Sequence, residues 1–202
     1  MLIEISNFSI SEVKNFSSLK CKHKELLNYL SKYALSHSKK GLFKTYILKI
    51  ENKIIGYISF SMATVEINPK IHEITTISKN LKYNLPALKI TRLCIFEEYQ
   101  KQGFGSIFIT FSEILAIVLQ MQIGCKMLLV DAKIDAQNFY IKNGFLEVTK
   151  ENGTIFMIKK VITPNEFKNM EDKEEYLNNI QEFCKIFNYS NFYYQIREYL
   201  KY

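Results

Sequence analysis

Apolar residues recur at two different periods along this chain, and the switches between them outline its elements. Residues 1–20 alternate loosely, as an edge strand followed by polar turns would. Over 22–35 the spacing becomes helical: Leu26, Leu27, Leu30, Tyr33 and Ala34 fall on one face, and Gly41 punctuates. Residues 42–50 and 54–65 are rich in β-branched and aromatic side chains. Glu51, Asn52 and Lys53 supply turn chemistry between them, so an antiparallel hairpin is predicted. Asn68 and Pro69 break the pattern, and a loop with some helix is expected as far as Asn84. Beyond Pro86, residues 87–96 leave little polar face, with Leu88, Ile90, Leu93, Cys94 and Ile95, as in a buried strand.

Gly103 and Gly105 then open a helix to about Gln122, whose apolar side is Ile107, Phe108, Phe111, Ile114, Leu115 and Val118; Gly124 ends it. Residues 127–130 read as a short buried strand. Asp135 offers an N-cap for a helix through Lys142, and Asn143–Gly144 stops that helix with a left-handed cap. Strands over 145–150 and 154–159 flank Asn152–Gly153, a strong hairpin signal. From Pro164 an amphipathic helix carries Phe167, Met170, Leu177, Ile180, Phe183 and Phe187 at helical intervals, and an aromatic-rich helix is expected over 191–200. The order is that of an α/β fold with a mixed sheet, without repeats or a low-complexity linker.

A length of 202 residues accommodates one substantial domain with an appendage, divided here into 1–161 and 162–202. No apolar run approaches the ~18–20 residues of a membrane span. The start, Met1 to Ile5, lacks the basic and apolar regions of a secretion signal, so a cytoplasmic location without membrane attachment is expected. Cys21, Cys94, Cys125 and Cys184 are far apart in sequence and form no metal-type pair; free thiols are expected. His23, His37 and His72 make no ligand spacing either, so no metal is expected. Charge is uneven. The overall +7 divides into −2 from Ile162 onward, with five basic and seven acidic residues, and +9 before it. A basic body suits a polyanionic partner, and equally a lysine-rich solvated surface.

The chemistry centres on one turn. Arg92, Leu93, Cys94 and Ile95 end a strand; Gln100, Lys101, Gln102, Gly103, Phe104, Gly105 and Ser106 follow, and then a long helix. Such a turn leaves main-chain N–H groups unpaired at a helix N-terminus, where a phosphate binds well. By itself the pattern reads first as a plain tight turn and only second as a phosphate site.

Gln100-x-x-Gly103-x-Gly105 does not stand by itself. Some 40 residues later comes Asn138–Phe139–Tyr140 with Asn143–Gly144–Phe145, and the pair of motifs resembles the GNAT (Gcn5-related) N-acetyltransferase superfamily. The resemblance covers residues 42–160. It implies a GNAT fold, a central mixed and mostly antiparallel sheet flanked by helices, with residues 162–202 as a C-terminal helical extension. Acetyl-CoA is the implied cosubstrate. Backbone N–H groups of Gln102 to Ser106 would hold its pyrophosphate. The main chain of Leu93, Cys94 and Ile95 would pair with the pantetheine arm and polarise the thioester carbonyl. Asn138 would hydrogen-bond the cofactor, and Tyr140 would protonate the departing CoA thiolate. Outside that motif Tyr140 would be read as a core residue and Asn138 as a surface amide. Cys94, in a buried strand, reads as packing rather than as an acyl carrier.

A narrower similarity, over 17–145, is to the GNAT-type toxins of bacterial toxin–antitoxin pairs. It rests on Cys21 followed by Glu-Leu-Leu-Asn-Tyr-Leu, Leu85–Pro86, Arg92 to Ile95, Gly124, and Leu128 to Ala132 leading into Tyr140. That family acetylates the α-amino group of aminoacyl-tRNA and blocks translation, so aminoacyl-tRNA and a cognate antitoxin are implied as partners, with Arg92 at the acceptor end. Lys39, Lys40 and Lys44 are diffuse candidates for phosphate contacts. An α-amino group titrates near ~8, so no dedicated base is required. This chain departs from the toxins in Lys101 where glycine is common, in Asp131 where histidine is frequent, and in about 40 further residues. The extension could pack on the domain, form a homodimer contact or cover a basic surface. The alternatives are a GNAT enzyme for a protein or small-molecule amine, and a CoA-binding module without turnover.

Overall fold

Strand pairing begins where the sequence is most β-branched. In the computed structural model, which describes residues 3–9, 19–75 and 83–201, β2 (Lys44–Ile50) and β3 (Lys53–Val65) form the expected antiparallel hairpin, with Ile50 opposite Lys53. Its two turn residues, Glu51 and Asn52, have φ of 48° and 68°, the left-handed pair that matches strand twist. The same device, Asn152 and Gly153 at 49° and 77°, joins β6 (Leu146–Glu151) to β7 (Thr154–Lys160). With β1 (Ile3–Asn7), β4 (Leu85–Ile95) and β5 (Met127–Lys133), these strands form one seven-stranded sheet in the order β1-β2-β3-β4-β5-β7-β6. Of its ladders, β1–β2, β2–β3, β5–β7 and β6–β7 are antiparallel. β1 takes the edge place expected of it. The polar turns after it and much of the loop before Asn84 fall on residues outside those described.

The residues group into two compact units, Met1–Ser61 with Ile90–Ile109, and Met62–Lys89 with Thr110–Tyr202. The first has a core of Tyr29, Leu30, Ala34, Ile47, Tyr57, Cys94 and Phe96 among others. The core of the second includes Val65, Ile71, Leu85, Met127, Leu129 and Ile158.

Several boundaries differ from the periodicity. The first helix is three pieces: α1 (Lys24–Asn28), a π-helical stretch Tyr29–Tyr33, and α2 (Ala34–Lys39). The wider turn shifts the register, so Ala34 is fully buried while Tyr33, expected inward, is 51% exposed. β4 starts before Pro86, and β5 runs on to Lys133 because Asp131, Ala132 and Lys133 remain paired with Phe156, Ile155 and Thr154. Asp135 is not an N-cap. It lies in a 3-10 turn, Ile134–Ala136, and α5 (Gln137–Lys142) starts from Ala136 with no side-chain cap. The helix expected from Pro164 is broken at Asn169 into α6 (Pro164–Lys168) and α7 (Lys173–Ile186).

α3 (Pro69–Thr75) buries Ile71 in the second core. α4 (Phe104–Gln122) is long and apolar enough to cross a membrane by length and composition. However, Phe108, Ile109, Phe111, Ile114, Ala116 and Ile117 are each at most 3% exposed, the burial of a core helix. Apolar on more than one side, it buries Ile109 and Ile117 beyond the single stripe expected. In the second unit, α6 opens with a capping box between Thr163 and Glu166. Partial burial pushes the Glu166 carboxyl up, but hydrogen bonds from Lys160, Lys126 and the Thr163 N–H outweigh it and lower its pKa to about 2. α7 and α8 (Ser190–Lys201) bury Leu177, Ile180, Phe183, Ile196 and Leu200, and Tyr199 donates to Gln120 Oε1 of α4 at 3.0 Å.

Candidate active site

β4 ends against β3 at a point where only glycine fits. A Cβ on Gly56 would lie 2.4 Å from the Cys94 carbonyl oxygen and 2.8 Å from Ile95 Cδ1. Phe96 N–H then donates to Ile55 O at 3.0 Å, and the Phe96 ring is fully buried. Beyond it the chain turns through the 3-10 segment Glu97–Tyr99. Two amide side chains brace the turn after it: Gln100 Nε2 donates to Ile95 O at 2.9 Å and Gln102 Nε2 to Glu98 O at 3.1 Å. The glutamine of the motif thus ties the turn to the end of the strand.

The turn itself is left-handed at two places, Lys101 with φ 61° and Gly103 with φ 87°. An added Cβ at Gly103 would meet nothing within 4 Å, so conformation rather than crowding selects glycine there. Lys101 keeps the backbone that a glycine would favour, at a cost of about 1 kcal/mol. α4 starts as the Gly103 carbonyl accepts from Ser106 N–H at 3.0 Å and Ile107 N–H at 3.3 Å. A helix offers no internal partner to the N–H groups of Phe104 and Gly105. Ser106 N–H, by contrast, is already turned to Gly103. Lys101, Gln102, Gly103 and Ser106 are exposed. Phe104 and Gly105, which carry the spare donors, are half-buried beside them, so main-chain donors at a helix N-terminus adjoin an exposed lysine, which is the chemistry of an anion site.

Upstream of the turn, Leu93 and Ile95 are half-buried and Cys94 is 3% exposed. Arg92 is held from two sides. Its Nη1 donates to Thr91 O at 2.6 Å, and its guanidinium carbon lies 4.9 Å from the Tyr29 ring centroid. Tyr29 stacks on Tyr57 at 6.2 Å, and the Tyr57 hydroxyl donates to Leu26 O at 2.8 Å. Sequence reading identified Arg92 but missed its aromatic support: Tyr29 stands in the Glu-Leu-Leu-Asn-Tyr-Leu stretch without any sign that it meets Arg92, and Tyr57 lies in no motif. Cys21, remote in sequence, has its Sγ 2.9 Å from that of Cys94. Lys39, Lys40 and Lys44 are exposed.

In the second unit, α5 ends on a Schellman motif. Phe145 N–H donates to Tyr140 O at 3.0 Å and Gly144 N–H to Ile141 O at 2.9 Å, with Gly144 at φ 81°. The hydrophobic contact of that motif is Tyr140 against Phe145, centroids 5.2 Å apart and edge-on; Phe139 packs on Tyr140 at 5.0 Å. Tyr140 is 5% exposed, and burial pushes its phenol up, so the proton stays on through neutral pH. Asn138 is exposed on the same helix. Lys159 holds the helix end: its Nζ donates to Asn143 O at 2.8 Å and pairs with Glu113 of α4. Burial raises the Glu113 carboxyl, and Lys159 works against that rise. Neither residue belongs to a motif, and nothing in the sequence joins positions 113 and 159. Asp131, at the position where the toxins often have histidine, is exposed and pairs with Lys89 at 2.5 Å.

Residues 41–147 match the family model described as acetyltransferase (GNAT) domain. Among solved structures, a mutant of KacT aligns with a TM-score of 0.69 and 19% identity, over 80% of this chain and 96% of that one. AtaT in complex with acetyl-methionyl-tRNAfMet aligns with a TM-score of 0.64 and 20% identity, over 76% and 93%. AtaTR bound with AcCoA gives 0.63 and 21%, over 76% and 92%. At these identities the likeness is one of fold: the seven-stranded α/β sheet seen here is the GNAT fold.

Proposed function

The chain belongs to the acetyltransferase (GNAT) domain family, and from that premise we propose that it transfers acetyl from acetyl-CoA to the α-amino group of an aminoacyl-tRNA, as a toxin that blocks translation. The observation that carries the donor half is the exposed left-handed turn at Lys101 and Gly103 feeding the N-terminus of α4. Main-chain N–H groups from Gln102 to Ser106, chiefly those of Phe104 and Gly105, receive the pyrophosphate, with Lys101 beside them. The main chain of Leu93, Cys94 and Ile95 pairs with the pantetheine arm, and an N–H there polarises the thioester carbonyl. Asn138 hydrogen-bonds the cofactor. The neutral amine attacks the thioester carbon directly, the C–S bond breaks, and Tyr140, protonated at neutral pH, gives its proton to the CoA thiolate.

For the acceptor half, Arg92 held on Tyr29 is a fixed guanidinium for the aminoacyl end. The +9 charge of residues 1–161 suits a tRNA backbone. AtaT, a protein of this fold, has been captured with acetyl-methionyl-tRNAfMet, AtaTR with AcCoA, and a mutant AtaT toxin with the C-terminus of the antitoxin AtaR, which supports the same substrates and an antitoxin partner here. The test supplies the protein with labelled acetyl-CoA, bulk charged tRNA and a panel of free amines. Label on the amino acid released from tRNA by mild base is the expected result. Label on a free amine or protein amine alone would overturn the tRNA reading, and label on nothing would leave a binding module.

A further inference from the structure

Cys21 and Cys94 stand 73 positions apart in the chain, yet their sulfurs are 2.9 Å apart and share a hydrogen bond. A disulfide needs about 2.05 Å, so bonding requires the sulfurs to close by less than about 1 Å. The segment is already docked there: Glu97 N–H donates to Lys20 O at 3.0 Å, next to Cys21 and just past the end of β4. The two thiols are unequal in access, Cys21 half-buried and Cys94 almost wholly buried. We infer that Cys21 and Cys94 form a redox-active dithiol that a hydroperoxide converts to an intrachain disulfide, fastening the segment ahead of α1 to β4.

Cys21 is the nucleophile. Its thiol is lowered to about 7, first by the hydrogen bond from Cys94, then opposed by burial and helped by the His23 backbone; Glu97 and Glu25 oppose it weakly. The hydrogen bond to Cys21 and burial push Cys94 up, so it keeps its proton until the second step. In the first step the Cys21 thiolate attacks one peroxide oxygen and the O–O bond breaks. Cys21 becomes a sulfenic acid, and the leaving hydroxide takes up a proton to become water. In the second, Cys94 sulfur attacks the Cys21 sulfur, the S–O bond breaks, and the oxygen leaves as water with the Cys94 proton. With hydrogen peroxide, two thiols lose two electrons and one peroxide yields two waters; an organic hydroperoxide would leave as its alcohol in the first step. The remaining cysteines provide an internal contrast: burial raises Cys125, and it raises Cys184 to about 11.

The chemistry lies within the first unit and stands apart from the acetyl-transfer reading, which could fail while the crosslink still forms. The test treats the full chain at neutral pH with stoichiometric hydrogen peroxide, blocks free thiols under denaturing conditions and maps peptides without reductant. The expected product is a Cys21–Cys94 linked peptide, reversed by dithiothreitol, with Cys125 and Cys184 blocked as free thiols. The crosslinked chain should melt about 5–10 °C higher. Cys21→Ser should retain three blockable thiols under the same treatment, and Cys94→Ala should stop at the sulfenic or sulfinic acid of Cys21. Four free thiols in the treated native chain, or oxidation of Cys125 and Cys184 as fast as Cys21, would overturn the inference.

Discussion

In the turn after β4 the groups on offer are one exposed lysine and main-chain N–H donors, chiefly those of the half-buried Phe104 and Gly105. At the end of α5 the group on offer is a single phenol, 5% exposed and packed between Phe139 and Phe145. The first region is shaped by backbone conformation: Lys101 and Gly103 are left-handed, and Gly56 is required by the closeness of the Cys94 carbonyl. The second is shaped by side chains, since Lys159 and Glu113 hold the helix end that positions Tyr140. Binding an anion through N–H groups tolerates exposure, because what matters is the direction of the chain. Holding a proton on a phenol benefits from burial, which disfavours the charged form. These are the properties that the proposed function asks of the two regions, cofactor binding of the first and proton transfer of the second.

The largest effect that separates them is expected at Gly56. Gly56→Ala places a methyl against backbone, forces β3 or β4 to move, and should cost about 3 kcal/mol of stability together with acetyl-CoA affinity. Urea unfolding and calorimetric titration with acetyl-CoA measure both; stability within 0.5 kcal/mol of the parent, roughly the noise of a surface change, would show that the approach is not tight. Next, Lys159→Met leaves Glu113 and Asn143 O without their cation. Both side chains retain some solvent access, so the loss should be about 1–2 kcal/mol. Turnover should fall while acetyl-CoA affinity holds. A fall in affinity with turnover intact would place this network on the binding side.

The smallest change sharpens the turn. Lys101→Gly removes the cost of a non-glycine left-handed residue, offset in part by a more flexible unfolded chain, for a net gain of about 0.5 kcal/mol. It also removes a cation, so acetyl-CoA affinity should fall a few-fold and lose part of its salt dependence. Unchanged affinity at low salt would mean that the lysine does not face the phosphates.

The legibility of the sequence divides along the same line. The Asn152–Gly153 hairpin, the stop at Gly144 and the helix opened by Gly103 were legible because each is decided within a few residues by φ. The motif around Tyr140 was legible too, and the structure explains its spacing: Asn143, Gly144 and Phe145 are the cap, the left-handed residue and the packing partner of one Schellman motif. Tyr33 was misplaced because a π-helical stretch changes the period in mid-helix, and the break at Asn169 was missed because Met170 keeps the spacing across it. Lys159 with Glu113, Arg92 on Tyr29, and Cys21 beside Cys94 depend on residues 46 to 73 apart and left no local trace.

The division of labour is tested most directly by single-turnover acetylation of aminoacyl-tRNA by Tyr140→Phe, with acetyl-CoA affinity measured on the same preparation. The account predicts a rate about 100-fold lower, with affinity within about twofold of the parent, since the phenol gives a proton and holds no phosphate. A rate equal to the parent's would remove Tyr140 from the chemistry, and a loss of affinity matching the loss of rate would place it in binding instead.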